Sequence, residues 1–223
     1  MVTSSSSNSS CASEEFLALL SQARRGDTES LGGLLQWYAN YLTILATTQL
    51  DRRLRRRMNP SDLVQETMLA AHRDFADFRG QSQPELLGWL RKILINTLHR
   101  AFATLVKAGK RDVRREVSID QISNQMEESA CNLASILPGR VASPSEPLRA
   151  RERAVDLANE LNKLPPQYRD VIVYRVIQGL SFDEIAEQME RTSGAVRMLW
   201  LRALEQFKLT YEGPQNEDPD DDQ

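Results

Sequence analysis

GLSFDEIAEQMERTSGAVRMLW, residues 179–200, contains two helix-start signals separated by a short turn. Ser181 and Glu184 have the spacing of a capping box, in which each side chain accepts a hydrogen bond from the backbone amide of the other residue. Gly179 is well placed to end the preceding helix. Thr192 can cap a second helix that continues to about Tyr211. The short first helix and the longer second one have the proportions of a helix-turn-helix motif.

Each helix of this motif has an inward and an outward face. The inward face is predicted from apolar residues at helical spacing, which are Ile185, Ala186, Met189, Val196, Trp200, Ala203, Leu204 and Phe207. Small or basic residues remain outward at the start of the second helix, where they could approach bases and phosphates: Thr192, Ser193, Ala195 and Arg197, with Arg191, Arg202 and Lys208 adding charge. The spacing alone is compatible with DNA binding and also with an ordinary helical hairpin that has a solvated face.

Helical signals also fill the rest of the chain. Asn59-Pro60 is a strong helix start, because Asn caps the helix and Pro at the first helical position loses no hydrogen bond. Periodic apolar residues predict the other helices at about residues 14–25, 28–50, 60–78, 84–105, 148–164 and 166–178. With no strand-like segment and no internal repeat evident, the predicted fold class is all-α.

The segment 112–149 separates these helices into two groups. Ser, Asn, Gly and Pro accumulate there, and a structureless connection of this length is unusual inside one compact domain. We therefore predict two helical domains, residues 13–111 and 150–211, joined by an irregular linker. The Ser-rich residues 1–12 are predicted to be a disordered tail, and residues 212–223 form an acidic tail.

Composition excludes several classes of protein. No apolar run approaches the roughly 20 residues of a membrane helix, and the N-terminus lacks the parts of a secretory signal, so a cytoplasmic location is expected. Cys11 and Cys131 lie far apart without paired-cysteine spacing, and the only histidines are His72 and His99. Neither a metal site nor a cofactor is expected.

The net charge of −3 conceals a basic body. Six of the 31 acidic residues follow Tyr211, which leaves 25 acidic against 28 basic residues and a charge of +3 for the rest of the chain. Local clusters matter more than this total, since charges act on phosphates within a Debye length of about 8 to 10 Å.

The helix that starts at Asn59 carries Asp62, Glu66 and Arg73 on one side. Paired carboxylates indicate catalysis only when an acid, base or nucleophile converges on them, and His72 points away from Glu66. We therefore expect no enzyme activity. An acidic surface patch for a basic partner and a merely solvated face both fit this pattern.

The long helix after Pro84 combines basic, amide and aromatic side chains, a mixture that suits phosphates and unstacked bases. They are Trp89, Arg91, Lys92, Asn96, His99 and Arg100. A solvated face of a buried helix is the alternative. The denser basic run at residues 51–57 has no assigned role.

Several motifs in this chain resemble extracytoplasmic-function sigma factors. DLVQE at 62–66, FADFRG at 75–80 and WLRKI at 89–93, together with Asn96, resemble the second conserved region of that family. LPPQYRDV at 164–171, GLSFDEIA at 179–186 and GAVR at 194–197 resemble the fourth. The likeness covers about residues 13–111 and 150–210, in the family's order and without an intervening third domain.

The resemblance implies a role for each group of residues. The helix with Asp62, Gln65, Glu66 and Arg73 matches the one that docks on the clamp coiled coil of the largest polymerase subunit. The loop with Arg79, Gln81 and Ser82 and the helix with Trp89, Arg91, Lys92, Asn96, His99 and Arg100 match the parts that open and read the minus-ten element. The segment with Arg191, Thr192, Ser193, Gly194, Ala195, Arg197 and Arg202 matches the minus-thirty-five reader. The linker would thread near the polymerase active centre.

The resemblance thus implies a sigma factor that binds core RNA polymerase, double-stranded promoter DNA and the melted non-template strand. It also allows an anti-sigma factor as a partner. The alternatives are a helix-turn-helix regulator that acts without polymerase and a helical adaptor that binds only protein. Two departures concern promoter choice: Glu190-Arg191 replaces the family's glycine and aliphatic residue in the turn, and Leu199 stands where a basic residue is often found.

Overall fold

The computed structural model describes residues 5–50, 52–108, 118–134 and 147–212. Every regular element in these ranges is helical, so the predicted all-α class is confirmed. The α-helices are α1 Ser5–Arg24, α2 Thr28–Gln36, α3 Ala39–Thr48, α4 Arg52–Arg55, α5 Pro60–Asp74, α6 Gln83–Ala108, α7 Ile119–Ala134, α8 Pro147–Asn162, α9 Pro166–Ile172, α10 Phe182–Met189 and α11 Ser193–Glu212. A 3-10 turn, Phe75–Asp77, follows α5, and a π-helical turn, Val173–Ile177, follows α9.

Local capping signals place the helix ends where the sequence predicts them. The Asn59 side chain accepts a hydrogen bond from the Ser61 amide at 3.1 Å, and Pro60 is the first residue of α5. Asp27 caps α2 by accepting from the Ser30 amide at 3.2 Å. Gly26 has a φ of +94°, a backbone conformation that favours glycine after a helix.

The N-terminal helices differ from the prediction in two respects. The chain turns at Trp37 and Tyr38, so the single helix predicted at 28–50 is wrong. The turn allows α2 to pack on α1 while α3 packs on α5 and α8. The first helix begins at Ser5 and takes in residues that the sequence predicts as a tail, because Ser-rich sequence gives no apolar periodicity.

Helix α7 lies inside the segment predicted to be irregular, and that prediction is wrong for residues 119–134. Its buried side chains recur every three or four residues: Ile122, Met126, Ala130 and Leu133. Polar residues between them obscure this stripe in the sequence. The helix packs on α8 and also on α6 and α3.

The C-terminal helices pack around α11, which contacts α9, α10 and α8. The buried residues of these helices and of α1 to α7 belong to one apolar cluster. Polar contacts also connect the two groups of helices. Asn40 donates to the Asn159 side chain at 2.9 Å, and the Gln178 amide group donates to the carbonyl of Thr48 at 2.7 Å. None of the described helices combines the length and apolarity of a membrane span.

Candidate nucleic-acid interface

The two helices of the predicted helix-turn-helix, α10 and α11, begin at the expected caps. The Ser181 hydroxyl accepts from the Glu184 amide at 3.3 Å, and Glu184 accepts from the Ser181 amide at 2.8 Å. The hydrogen bond from the Ser181 amide to the Glu184 carboxylate, followed by one from the Ser181 side chain, holds the pKa of Glu184 below its ordinary value. The Thr192 hydroxyl accepts from the Ala195 amide at 3.2 Å. Local side chains therefore fix where both helices start.

The turn between these helices contains a residue in an unfavourable backbone conformation. Glu190 has a φ of 55°, in the left-handed region that glycine adopts without steric cost. Its carboxylate pairs with Arg56, from the basic run of the N-terminal half. Arg191 donates to the Gln167 side chain at 2.9 Å and so braces the turn against α9.

The turn before α11 and the outward face of α11 contain the residues predicted to read the minus-thirty-five element. Six of these residues are exposed, namely Arg191, Thr192, Gly194, Ala195, Arg197 and Arg202. Ser193 differs, because its hydroxyl is buried. The Arg197 guanidinium lies 5.6 Å from the centre of the Phe182 ring, within the distance of a cation–π contact.

The inward face of the motif agrees with the apolar pattern except at one position. Ile185, Val196 and Ala203 are fully buried, whereas Leu204, predicted inward, is 39% exposed. Position 204 lies at the edge of the stripe, where periodicity does not separate core from surface. Leu199 is buried. Its side chain therefore belongs to the core of this domain, away from the outward face.

The loop before α6 is held by one carboxylate. Glu85 accepts from the Gln81 amide at 2.8 Å and from the Ser82 amide and hydroxyl at 3.0 and 2.7 Å. The Ser82 hydroxyl is the main cause, followed by the Gln81 amide, of a pKa of Glu85 below its ordinary value. The Arg79 guanidinium is exposed and donates to the Ala76 carbonyl at 2.9 Å. This loop contains the predicted residues Arg79, Gln81 and Ser82 in a fixed geometry.

Gly80 allows this loop to pass close to an aromatic ring. A Cβ atom at Gly80 would lie 2.5 Å from the Phe78 ring and 2.8 Å from the Glu85 Cβ. Arg24 of α1 donates to the Gly80 carbonyl. Phe78 itself is buried and packs on Trp89, with ring centres 5.1 Å apart. Trp89 is therefore half-buried, and only part of its ring is accessible to a base.

The face of α6 is divided between exposed and buried groups. Lys92, Asn96 and Arg100 are exposed, and His99 is half-buried. Arg91 is only 8% exposed, and its guanidinium donates to the Glu127 carboxylate of α7 at 2.8 Å. The sequence predicts Arg91 as a DNA contact, but in this arrangement α7 covers it.

The predicted polymerase-docking residues lie along one side of α5. Asp62, Gln65, Glu66 and Arg73 are all exposed, so they can be reached by a partner. Arg73 forms a two-pronged ion pair with Asp74, at 2.7 and 3.0 Å, which raises the pKa of Arg73 and lowers that of Asp74.

An open cleft of about 380 Å³ lies between α5 and α6. It is lined by Arg73 and Asp74 on one side and by Asn96, His99 and Arg100 on the other. The predicted polymerase-docking and minus-ten surfaces therefore adjoin at this cleft. Within the described ranges, no cluster of three His, Cys, Asp or Glu side chains could hold a metal ion.

The sequence predicts neither Glu85 nor Glu127 as part of this interface. Ser82 and Glu85 have the same three-residue spacing as Ser181 and Glu184, which is the signal that could have identified Glu85. Glu127 has no comparable local signal, because its partner is 36 residues away in the chain.

Comparison with known families identifies the C-terminal helices. Residues 154–207 match the family model of Sigma-70, region 4. Helix α10 and most of α11 fall within this range, so the helix-turn-helix is similar to that of sigma-70 region 4.

Longer matches extend the likeness over most of the chain. The extracytoplasmic-function (ECF) RNA polymerase sigma-E factor of Haemophilus influenzae is 27% identical over 191 residues, which cover 86% of this chain and 92% of that protein. Those of Escherichia coli K12 and Salmonella typhimurium LT2 are each 29% identical over 191 residues, covering 84% of this chain and 89% of the relative. The resemblance to extracytoplasmic-function sigma factors is confirmed.

We predict that protonating Glu85 releases the loop before α6. The pKa of Glu85 is lowered in the folded protein. Its stabilisation of the loop is therefore complete above the ordinary pKa of 4.5 and is lost as the pH falls through the lowered value. The amide chemical shifts of Gln81 and Ser82 should therefore titrate with a midpoint below 4.5. Glu85→Gln should remove the transition and Glu187→Gln, an exposed residue of α10, should retain it. A midpoint at or above 4.5 would contradict this role.

We also predict that Glu190→Gly is more stable than Glu190→Ala. Both variants lose the ion pair with Arg56, but only glycine relieves the left-handed backbone, a difference of about 1 kcal/mol. Urea unfolding of the two proteins measures it. Gly179→Ala is the matched control, since Gly179 has a φ of +68° and no atom within 4 Å of an added Cβ. It should lose a similar free energy of unfolding. Equal stability of the two Glu190 variants would show that the turn is unstrained.

Proposed function

We propose that this protein is a sigma factor that binds core RNA polymerase and directs it to particular promoters. The observation that carries this proposal is the extent of the likeness to ECF RNA polymerase sigma-E factors, which spans 84–86% of the chain. A match of that length includes the α5 and α6 helices as well as the helix-turn-helix. A helix-turn-helix regulator that acts without polymerase would account only for the C-terminal part.

In this proposal the two predicted domains act as separate modules. Residues 13–111 would engage the polymerase and the minus-ten element, and residues 150–211 would engage the minus-thirty-five element. The exposure of α5 on one side and of the start of α11 on the other supports this division. The segment 112–149 would connect the modules, with α7 as its ordered part.

The minus-thirty-five element would be read by the start of α11. Its N-terminal residues are small or exposed, so the backbone can approach phosphates, and Arg197 can reach a base edge or a phosphate. The minus-ten element would be opened by the loop at Arg79, Gln81 and Ser82. Lys92, Asn96, His99 and Arg100 would hold the separated strand, with Trp89 offering the edge of its ring.

The polymerase would dock on the α5 side that contains Asp62, Gln65, Glu66 and Arg73. An exposed acidic pair on a rigid helix suits a basic partner surface, and such charges determine the rate and register of association. The chain would then act by binding and without catalysing a reaction, as sigma factors do in general. It would do so in the cytoplasm, where the polymerase works.

Run-off transcription tests the proposal directly. Core polymerase supplemented with this protein should transcribe from particular genomic fragments, whereas core polymerase alone should not. A gel shift with the same fragments separates the alternatives. A regulator would bind its site without polymerase, and a protein-only adaptor would give no promoter-dependent transcript under any condition.

We predict that Asp62→Lys with Glu66→Lys weakens binding to core polymerase by about tenfold or more, because the reversed charges meet a basic surface. Fluorescence titration of labelled protein with core enzyme measures the affinity. Glu14→Lys with Glu15→Lys, an exposed pair on α1, changes the net charge equally and should leave the affinity unchanged. Equal losses in both double variants would mean that only the total charge matters.

We predict that Arg197→Ala reduces promoter discrimination without unfolding the protein. Loss of a base contact should cost about 1 to 3 kcal/mol, whereas loss of a phosphate contact should weaken all sequences alike. Transcription from a mapped promoter is compared with a template whose upstream element is scrambled, with thermal melts as the folding control. Arg25→Ala, an exposed arginine in the turn directly after α1, should not affect the ratio. Full discrimination by the Arg197→Ala protein would remove Arg197 from the reading surface.

A further inference from the structure

Helix α7 packs directly against the helix that is proposed to hold the melted strand. Its apolar stripe is buried on α8, α6 and α3, and its polar edge faces α6. In the proposed function α7 only belongs to the connection between the modules. That role does not explain why α7 packs on α6.

An ion pair between Arg91 and Glu127 joins these helices. The guanidinium and carboxylate are 2.8 Å apart, with the Arg91 side chain 9% and the Glu127 side chain 54% exposed. A guanidinium removed from water needs an anionic partner, because its desolvation is otherwise uncompensated. Glu127 thus supplies α6 with the kind of charge that a DNA phosphate would supply.

A cleft of about 390 Å³ continues from this ion pair along the two helices. Arg91, Lys92 and Asn96 line it from α6, and Asp120, Ser123 and Glu127 line it from α7. Acidic and hydroxyl groups on α7 therefore face basic and amide groups on α6. Lys92 and Asn96 are among the residues proposed to hold the separated strand, and the sequence predicts Arg91 as a DNA contact on the same helix.

We propose that α7 is an internal cover for the minus-ten surface, and that single-stranded DNA competes with α7 for Arg91 and Lys92. This inference rests on the proposed function and adds a regulatory step to it. In the free protein the carboxylates of α7 occupy the side of α6 that faces the cleft. DNA gains full access only when α7 moves away.

The contacts of α7 indicate how it would move. Besides packing on α8, α7 donates a hydrogen bond from the Asn132 side chain to the Ile177 carbonyl at 3.0 Å. Both contacts tie α7 to the C-terminal helices. If polymerase binds the two modules apart from each other, α7 would be drawn off α6 together with α8, which exposes Arg91.

Three variants that each remove one negative charge test this cover. Glu127→Gln removes the partner of Arg91, and Asp120→Asn removes an exposed carboxylate from the same cleft. Glu128→Gln is the matched control, because Glu128 is exposed on α7 but does not line the cleft. Equal changes in net charge cancel the long-range effect on DNA affinity.

The first measurement is the affinity of the free proteins for a labelled non-template oligonucleotide, and the second is backbone hydrogen exchange of residues 119–134. We expect Glu127→Gln to bind about fivefold more tightly or better, and to exchange faster across α7. Asp120→Asn should shift the affinity in the same direction by less. Glu128→Gln should match the unmodified protein in both measurements.

An affinity of Glu127→Gln equal to that of Glu128→Gln overturns the cover. If thermal melts show that Glu127→Gln is unfolded, the affinity of Asp120→Asn for the oligonucleotide decides. An affinity of Asp120→Asn equal to that of Glu128→Gln then overturns the cover as well. Run-off transcription with core polymerase separates this result from failure of the proposed function. Promoter-dependent transcription without an affinity difference removes only the cover, whereas absence of any promoter-dependent transcript removes both.

Discussion

The burial of α3 between the two groups of helices is the constraint on which the rest of the structure depends. Six of its ten residues are buried, and it contacts α5 and α6 on the N-terminal side and α7 and α8 on the other. Separating the groups would expose this apolar surface at roughly 25 cal/mol per Å². A polymerase that holds the modules apart must offset that cost. In the proposed function, the arrangement of the free chain would therefore oppose a promoter-bound arrangement with the modules apart.

Polar groups at this junction fix its geometry. The Arg55 guanidinium donates to the carbonyls of Thr47 and Leu50 at 2.8 and 3.1 Å and lies 4.7 Å from the centre of the Tyr174 ring. Burial raises the pKa of Tyr174 to about 12 and also raises that of Asp170, although the charge of Arg55 opposes both shifts. Desolvated groups of this kind favour one orientation over others more than they add stability. The basic run, which has no role from sequence alone, thus acts at the junction.

Local signals in the sequence correctly predicted where helices start, because a helix start depends on neighbouring residues. The caps at Asn59, Ser181 and Thr192 are correct because each forms hydrogen bonds within three residues. The division at Trp37 and the existence of α7 were not predictable in this way, since both depend on which distant helices offer an apolar surface. The burial of Arg91 was not predictable for the same reason, because its partner is a carboxylate 36 residues away.

The buried guanidinium of Arg91 is paired with Glu127 because an unpaired charge is costly to bury. A guanidinium placed among apolar helices without an anion would lose on the order of several kcal/mol of solvation. The carboxylate of Glu127 offsets this loss in the free chain, and a phosphate can offset it on DNA, so the two partners can replace each other without leaving the charge unpaired. Because only the difference between the two pairings enters the equilibrium, a modest change in either partner can shift it. In the proposed cover, the surface for single-stranded DNA would in this way stay covered until the polymerase separates the helices.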